Sequence, residues 1–256
     1  MRDSAFALKG VSHHFGETEV LRDISLEIAC GEFVAIVGPS GCGKTTLLSL
    51  LSGHFKPARG KIERRGDERL IFQQGGLFPW LTVNGNIAMG LKAVADPLER
   101  SRQMRELIDL IRLEGFENHY PHQLSAGMRQ RVELARALAG PSNTLLMDEP
   151  FSSLDYLATI RMRGELARIL RERPRTVLLV THDIDEAAQL ADRVIVLTER
   201  PAQIRREFSI LTPRPRRVTH PEVVRVIDRL LMELSDGKED NDSRESSLYE
   251  SNVEGD

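Results

Sequence analysis

From Ile24 to Ile28 apolar and polar residues alternate, the period of a strand with one face on a core. After a turn at Gly31, Phe33-Val-Ala-Ile-Val37 is apolar without a break, which predicts a strand buried on both faces. A glycine-rich stretch follows, and Thr45 to Ser52 then predicts a helix that stops at Gly53. Gly60 to Phe72 predicts two short strands around a Gly66-Asp67 turn, and Asp96 to Gly115, rich in Arg, Glu and Leu, a helix. Another helix runs from about 124 to Leu138, stopped by Gly140-Pro141. Beyond it the pattern predicts a strand at Leu145 to Glu149, a helix at Ala158 to Arg171 and a strand at Thr176 to Val180. A helix at Ile184 to Leu190 and a strand at Val194 to Leu197 continue the series. Strands and helices in alternation imply a largely parallel α/β sheet whose ligands sit at the strands' carboxyl ends.

Residues 74 to 140 carry helical pattern and little strand signal, so they are expected to form a helical insertion in an α/β core made of 1–73 and 141–200. An accessory segment, 201–234, is expected to hold a strand at Ile204 to Ile210, the proline-broken Pro213-Arg-Pro215 link and a helix at Glu222 to Leu234. The stretch 235–256 is polar and serine-rich, with eight acidic residues against Lys238 and Arg244, a net of −6, and is expected to be a disordered acidic tail.

The chain has 256 residues, enough for one large domain, and a formal net charge of −3, so that outside the tail it carries about +3. Bulk charge gives no reason to expect a nucleic-acid partner. The two cysteines, Cys30 and Cys42, make no disulfide framework and fit a reducing compartment. The first ten residues lack the apolar stretch of a secretory signal, and no apolar run approaches the length of a membrane span. A membrane role would therefore come through a partner.

Gly38-Pro39-Ser40-Gly41-Cys42-Gly43-Lys44-Thr45 matches the phosphate-loop pattern G-x-x-x-x-G-K-[ST] and lies between a predicted strand and a predicted helix, the context that the pattern requires. Glycines there let successive N–H groups face phosphate oxygens at a helix N-terminus. Lys44 is expected at the β- and γ-phosphates, and Thr45 on Mg2+. Asp148 and Glu149 end a strand expected beside the phosphate-loop strand; one can hold the Mg2+ hydration shell and the other orient or deprotonate a water. Taken alone, such a pair also fits a solvated strand end.

Leu124-Ser125-Ala126-Gly127-Met128-Arg129-Gln130-Arg131 resembles the signature sequence of ATP-binding cassette (ABC) ATPases, usually Leu-Ser-Gly-Gly-Gln or Leu-Ser-Gly-Gly-Met. The family's other segments occur in order. Gln73 resembles the Q-loop glutamine, Ser153-Leu154-Asp155 the D-loop and His182 the switch histidine, while Phe15 stands where an aromatic residue stacks on adenine. The resemblance covers Phe6 to about Leu197. It implies a P-loop cassette with a mostly parallel core, antiparallel N-terminal strands and a helical subdomain.

The resemblance also implies ATP contacts along Gly38 to Thr46, Mg2+ contacts from Thr45, Gln73 and Asp148, and catalytic roles for Glu149, His182 and Gln73. Ser125, Ala126, Gly127 and Asp155 would serve the nucleotide of an opposed second cassette. By themselves Ser125 and Asp155 also read as plain helix caps, Phe15 as a core aromatic and His182 as a structural histidine. Two departures stand out. Ala126 replaces the signature's first glycine, adding a methyl group near the phosphate. Gly75-Gly76 is expected to loosen the loop after Gln73.

Phe78-Pro-Trp-Leu-Thr-Val83 reads by itself as core packing, yet it resembles the Leu-Pro-Trp-Leu-Thr-Val run of nitrate, sulfonate and taurine importers, where it helps to receive a coupling helix. Thr212-Pro-Arg-Pro-Arg-Arg217 is similar to the same subgroup's C-terminal region. The arginines between 200 and 217 otherwise read as a solvated face. The resemblance implies an importer ATPase on the cytoplasmic face of the inner membrane. Its partners would be a second ATPase subunit, permease subunits and, indirectly, a solute-binding protein, with no nucleic acid expected. The alternatives are the ATPase of an exporter or lipid-transport system, and a soluble ABC ATPase acting on ribosomes or DNA.

Overall fold

The computed structural model describes residues 3–72 and 76–250, with side chains described as far as residue 235. Two sheets and a helical layer share the fold. The strands β1 (Ser4–Phe15), β2 (Thr18–Ala29) and β4 (Arg59–Arg64) make an antiparallel sheet in the order β2-β1-β4. The second sheet has the order β5-β6-β7-β3-β8-β9, from β3 (Phe33–Val37), β5 (Glu68–Ile71), β6 (Thr144–Asp148), β7 (Thr176–Val180), β8 (Arg193–Leu197) and β9 (Ile204–Ser209). All its pairs are parallel except β8 with β9.

β3, β6 and β7 are buried along their whole length, as uninterrupted apolar strands should be. Alternation divides their side chains between two cores. Val34, Ile36, Leu146, Leu178 and Val180 face α1 (Lys44–Leu51) and the antiparallel sheet. Phe33, Ala35, Val37, Leu145, Met147, Val177 and Leu179 face the layer containing α2 (Val83–Gly90), α3 (Pro97–Ile111), α4 (Ala126–Leu138), α5 (Tyr156–Glu172) and α6 (Ile184–Leu190).

Four sequence expectations change. β6 does not lie beside β3, because β7 sits between them; α1 crosses back over β6 and β7, and that crossing carries Thr45 to Asp148. The strands around Gly66 do not pair with each other. β4 joins β1, with Gly60 so close that a Cβ would lie 2.3 Å from the Gly10 carbonyl oxygen, whereas β5 joins β6. β2 runs well beyond the Ile24 to Ile28 alternation and pairs with β1, for which no strand was expected, since register shifts on both sides of Val11 break the period of two. Finally, Arg214 and Arg216 are not a solvated face. Arg214 lies over the Phe33 ring at 5.3 Å and bonds Asp192 at 3.0 Å. Arg216 is buried, donating to the carbonyls of Ala191, Ile210 and Thr212, so it pins the proline link to the sheet edge.

The helix α7 (Pro221–Glu250) packs on α6 and β8 and carries backbone through 235–250, the stretch read from sequence as a disordered tail; residues 251–256 lie outside the described set. Among the described residues no helix is long and apolar enough to cross a membrane.

Candidate nucleotide site

β3 delivers the chain into the glycine loop from a fully buried strand, so the loop starts from a rigid base. Gly41 and Gly43 have φ of +75° and +123°, backbone that L side chains rarely adopt. A Cβ on Gly43 would also meet Val20 Cγ1 at 2.7 Å, so the loop is packed against β2 from below. Lys44 is buried and its Nζ donates to the carbonyls of Gly38 (2.8 Å) and Pro39 (2.9 Å), while Cys42 N–H donates to Pro39 O at 3.3 Å. These donors converge on the space the loop encloses. The Cys42 thiol is buried and burial pushes its pKa up, which makes it an inert part of the loop.

Thr45, in the first turn of α1, donates to Asp148 Oδ1 at 3.2 Å. Burial raises the Asp148 pKa; the Thr45 hydrogen bond opposes this and the neighbouring Glu149 charge adds to it. A hydroxyl and a costly buried carboxylate side by side are hard oxygen donors of the kind that Mg2+ takes.

Glu149 follows β6 with φ of +43°, a left-handed backbone rare for glutamate and concentrated at functional sites. Its N–H bonds Val180 O at the end of β7 (2.8 Å), and its carbonyl accepts from both the N–H and the hydroxyl of Ser152. The turn therefore directs the Glu149 carboxylate to His182, whose Nδ1 lies 3.1 Å from Oε2.

Thr181, just before His182, accepts from Asp183 N–H (3.0 Å) and donates to Glu186 Oε2 (2.6 Å), bracketing the histidine backbone. Burial pushes Glu186 up to about 7, and its Oε1 has no hydrogen-bond partner among the described residues; the Thr181 hydroxyl and Arg163 pull the other way, and Asp183 and Glu149 add to the rise. An acid with a raised folded-state pKa stabilises the fold below its unfolded value and loses that contribution as pH rises through the folded one. Stability should therefore fall by about 2–3 kcal/mol between pH 4.5 and 7 on account of this group. Denaturant melts of Glu186→Gln should show that slope removed; an unchanged slope contradicts the assignment.

Phe15 ends β1 and is 47% exposed, so it is not the core aromatic that its sequence context also allowed. It makes T-shaped contacts with Phe55 and His13, at ring-centroid distances of 5.4 and 4.9 Å, and its exposed surface is available to a flat ligand. Ser125 and Asp155 do cap helices, accepting from Met128 N–H (3.2 Å) and Ala158 N–H (2.9 Å). With Ala126, Gly127 and Arg131 they border a second recess that no phosphate-loop residue lines. Within one chain, then, the structure gathers Lys44, Thr45, Asp148, Glu149 and His182 and leaves the signature segment elsewhere. Gln73 and Gly75 lie outside the described residues.

Sequence reasoning missed two buried polar residues that shape the neighbouring loops. Glu133 on α4 accepts from Gly76 N–H at 2.8 Å, and a Cβ at Gly76 would strike Arg136, so Gly76 is tied closely to α4. Burial raises the Glu133 pKa. Asn86, missed along with α2 itself, is fully buried. It accepts from Phe78 N–H and donates to the carbonyls of Phe78, Leu81 and Thr82, holding a loop on which Trp80 stands 70% exposed. That exposure rules out core packing for Trp80. The sequence signal was available, since Thr82 also caps α2.

A family model described as ABC transporter matches residues 21–152. The aliphatic sulfonates import ATP-binding protein SsuB of Bacillus licheniformis is 41% identical over 225 residues, covering 85% of this chain and 88% of that one. The nitrate import ATP-binding protein NrtC of Synechococcus elongatus is 42% identical over 213 residues, 78% of this chain and 32% of that much longer protein. Among solved structures, the dimeric cassette MJ0796 superposes with a TM-score of 0.69 at 32% identity, over 81% of this chain and all of that one. A post-hydrolysis dimer of MJ0796 bound to ADP and Pi superposes with a TM-score of 0.67.

Proposed function

From the premise that this chain belongs to the ABC transporter family, we propose that it is the ATP-hydrolysing subunit of a membrane importer for a small anionic solute of the nitrate, sulfonate or taurine type. The observation that carries the reading is the convergence of Lys44, Thr45, Asp148, Glu149 and His182 at the carboxyl ends of β3, β6 and β7. The phosphate loop and Lys44 bind the triphosphate, and Phe15 supports the adenine. Thr45, Asp148 and Gln73 would hold Mg2+, whose chemistry is to neutralise charge on the β- and γ-phosphates. Glu149 holds the attacking water and accepts its proton, while His182, steadied by Glu149, faces the γ-phosphate.

The separate recess at Ser125 supports a composite site. The N-terminus of α4 offers N–H groups and a favourable dipole, and we assign it to the γ-phosphate of a second copy, with Asp155 alongside. The helical segment 74–140 then acts as a subdomain that moves relative to the core of 1–73 and 141–200, and 201–234 braces the core edge. The exposed Trp80 loop fits a permease segment at the membrane surface, and the relatives named for sulfonate and nitrate import favour an importer over an exporter or a soluble ATPase.

Two composite sites per dimer predict cooperative hydrolysis. Phosphate release by the purified chain should follow ATP with a Hill coefficient approaching about 2, and specific activity should fall on dilution below the dimer constant. Hyperbolic kinetics independent of protein concentration would contradict the paired site.

A further inference from the structure

The turn between β8 and β9, residues 198–203, is closed on itself by Thr198 N–H donating to Gln203 O (3.0 Å) and Gln203 N–H donating to Thr198 Oγ1 (2.9 Å). Two backbone bonds tie it to β2, Ala202 N–H to Val20 O (2.8 Å) and Arg22 N–H to Ala202 O (2.9 Å). The same Val20 packs beneath Gly43. From this anchored turn Arg200 reaches over the phosphate loop, and its Nε–H donates to the carbonyl of Gly41. Its Nη2 lies 3.6 Å from the point where a Cβ on Gly41 would sit.

The Gly41–Cys42 peptide is trans, so its C=O and its N–H point to opposite sides. With the carbonyl held outward on a guanidinium, the Cys42 N–H is held inward. That is where it lies, donating to Pro39 O, the acceptor that Lys44 Nζ also reaches. Gly41 has no side chain to fix this peptide, and a glycine-rich loop can turn it over at little cost. A charged donor on the carbonyl also polarises the peptide and strengthens its N–H as a donor. We propose that Arg200 is a positioning residue for nucleotide binding, which holds the Gly41–Cys42 peptide with its N–H directed into the phosphate cradle.

The inference rests on the reading that this loop holds the nucleotide phosphates, and titration with a fluorescent ADP analogue separates the two. Arg200→Ala should weaken ADP and ATP alike by roughly three- to tenfold and raise KM by the same factor, with kcat at saturating ATP within about twofold of the parent. Arg200→Lys should recover part of the affinity, because it restores a charged donor. The side chain is exposed, so the melting temperature without nucleotide should not move. Parent-like nucleotide affinity in Arg200→Ala overturns the role of Arg200 alone, as does a fall in kcat at unchanged KM. Failure of the parent protein itself to bind the analogue overturns both readings.

Discussion

Glu149→Gln should bind ATP as tightly as the parent protein and hydrolyse it two to four orders of magnitude more slowly. The amide is isosteric and keeps an oxygen toward His182, so the left-handed turn after β6 and its bonds to Val180 and Ser152 need not change. What is lost is the ability to take a proton from water. In the proposed composite site ATP joins two copies and its hydrolysis would part them, so this variant should accumulate as a dimer in the presence of Mg-ATP, visible by size-exclusion chromatography with light scattering. Parent-like turnover would remove Glu149 from the role assigned to it. A monomer under saturating ATP would remove the second copy from the site.

Lys44→Ala should fail one step earlier. Lys44 is buried in its own loop with the carbonyls of Gly38 and Pro39 as its partners, so it forms part of a cradle already shaped for a ligand that accepts hydrogen bonds. Removing it leaves a bound triphosphate facing backbone dipoles without their principal cation. Loss of one member of such a desolvated pair costs about 3–4 kcal/mol, a weakening of several hundredfold. The fold itself should not suffer, because burying a lysine on two carbonyls contributes little to stability. Calorimetric titration with ATP and ADP checks this, and retained affinity contradicts it.

The parts of this molecule legible in the sequence were those that short-range chemistry dictates. The phosphate loop needs glycines and a lysine at fixed spacing, and the helices after Asp96, Ser125, Asp155 and Asp183 carry their own side-chain caps. Strand order was not legible, because whether β7 or β6 lies beside β3 depends on how crossovers pack and not on the strands' composition. Backbone state was hidden as well. Nothing local in Met147-Asp148-Glu149 announces that Glu149 turns left-handed, and that turn is what faces it to His182. The arginines misled for a related reason. A charged residue reads as exposed until its partners are known, and the partners of Arg216 are carbonyls at 191, 210 and 212 together with Asp192, brought together only by the β8–β9 edge.

Within the site, the sequence supplied the members of the constellation and the structure supplied their division. Lys44, Thr45, Asp148, Glu149 and His182 stand together, while Ser125, Ala126, Gly127 and Asp155 stand at a separate recess. That division is the physical reason for expecting a second copy. It also explains how a chain whose described residues include no membrane-spanning helix can drive transport. The work of closing two cassettes would be passed to a permease through a loop that Asn86 holds in place and Trp80 presents.

Purification of the tagged chain from gently solubilised native membranes, with mass spectrometry of what remains bound, tests that claim most directly. A polytopic permease should be retained at a fixed ratio to the ATPase and lost from Trp80→Ser. Recovery only from the soluble fraction, with ribosomal or DNA-bound partners and no permease, would contradict it.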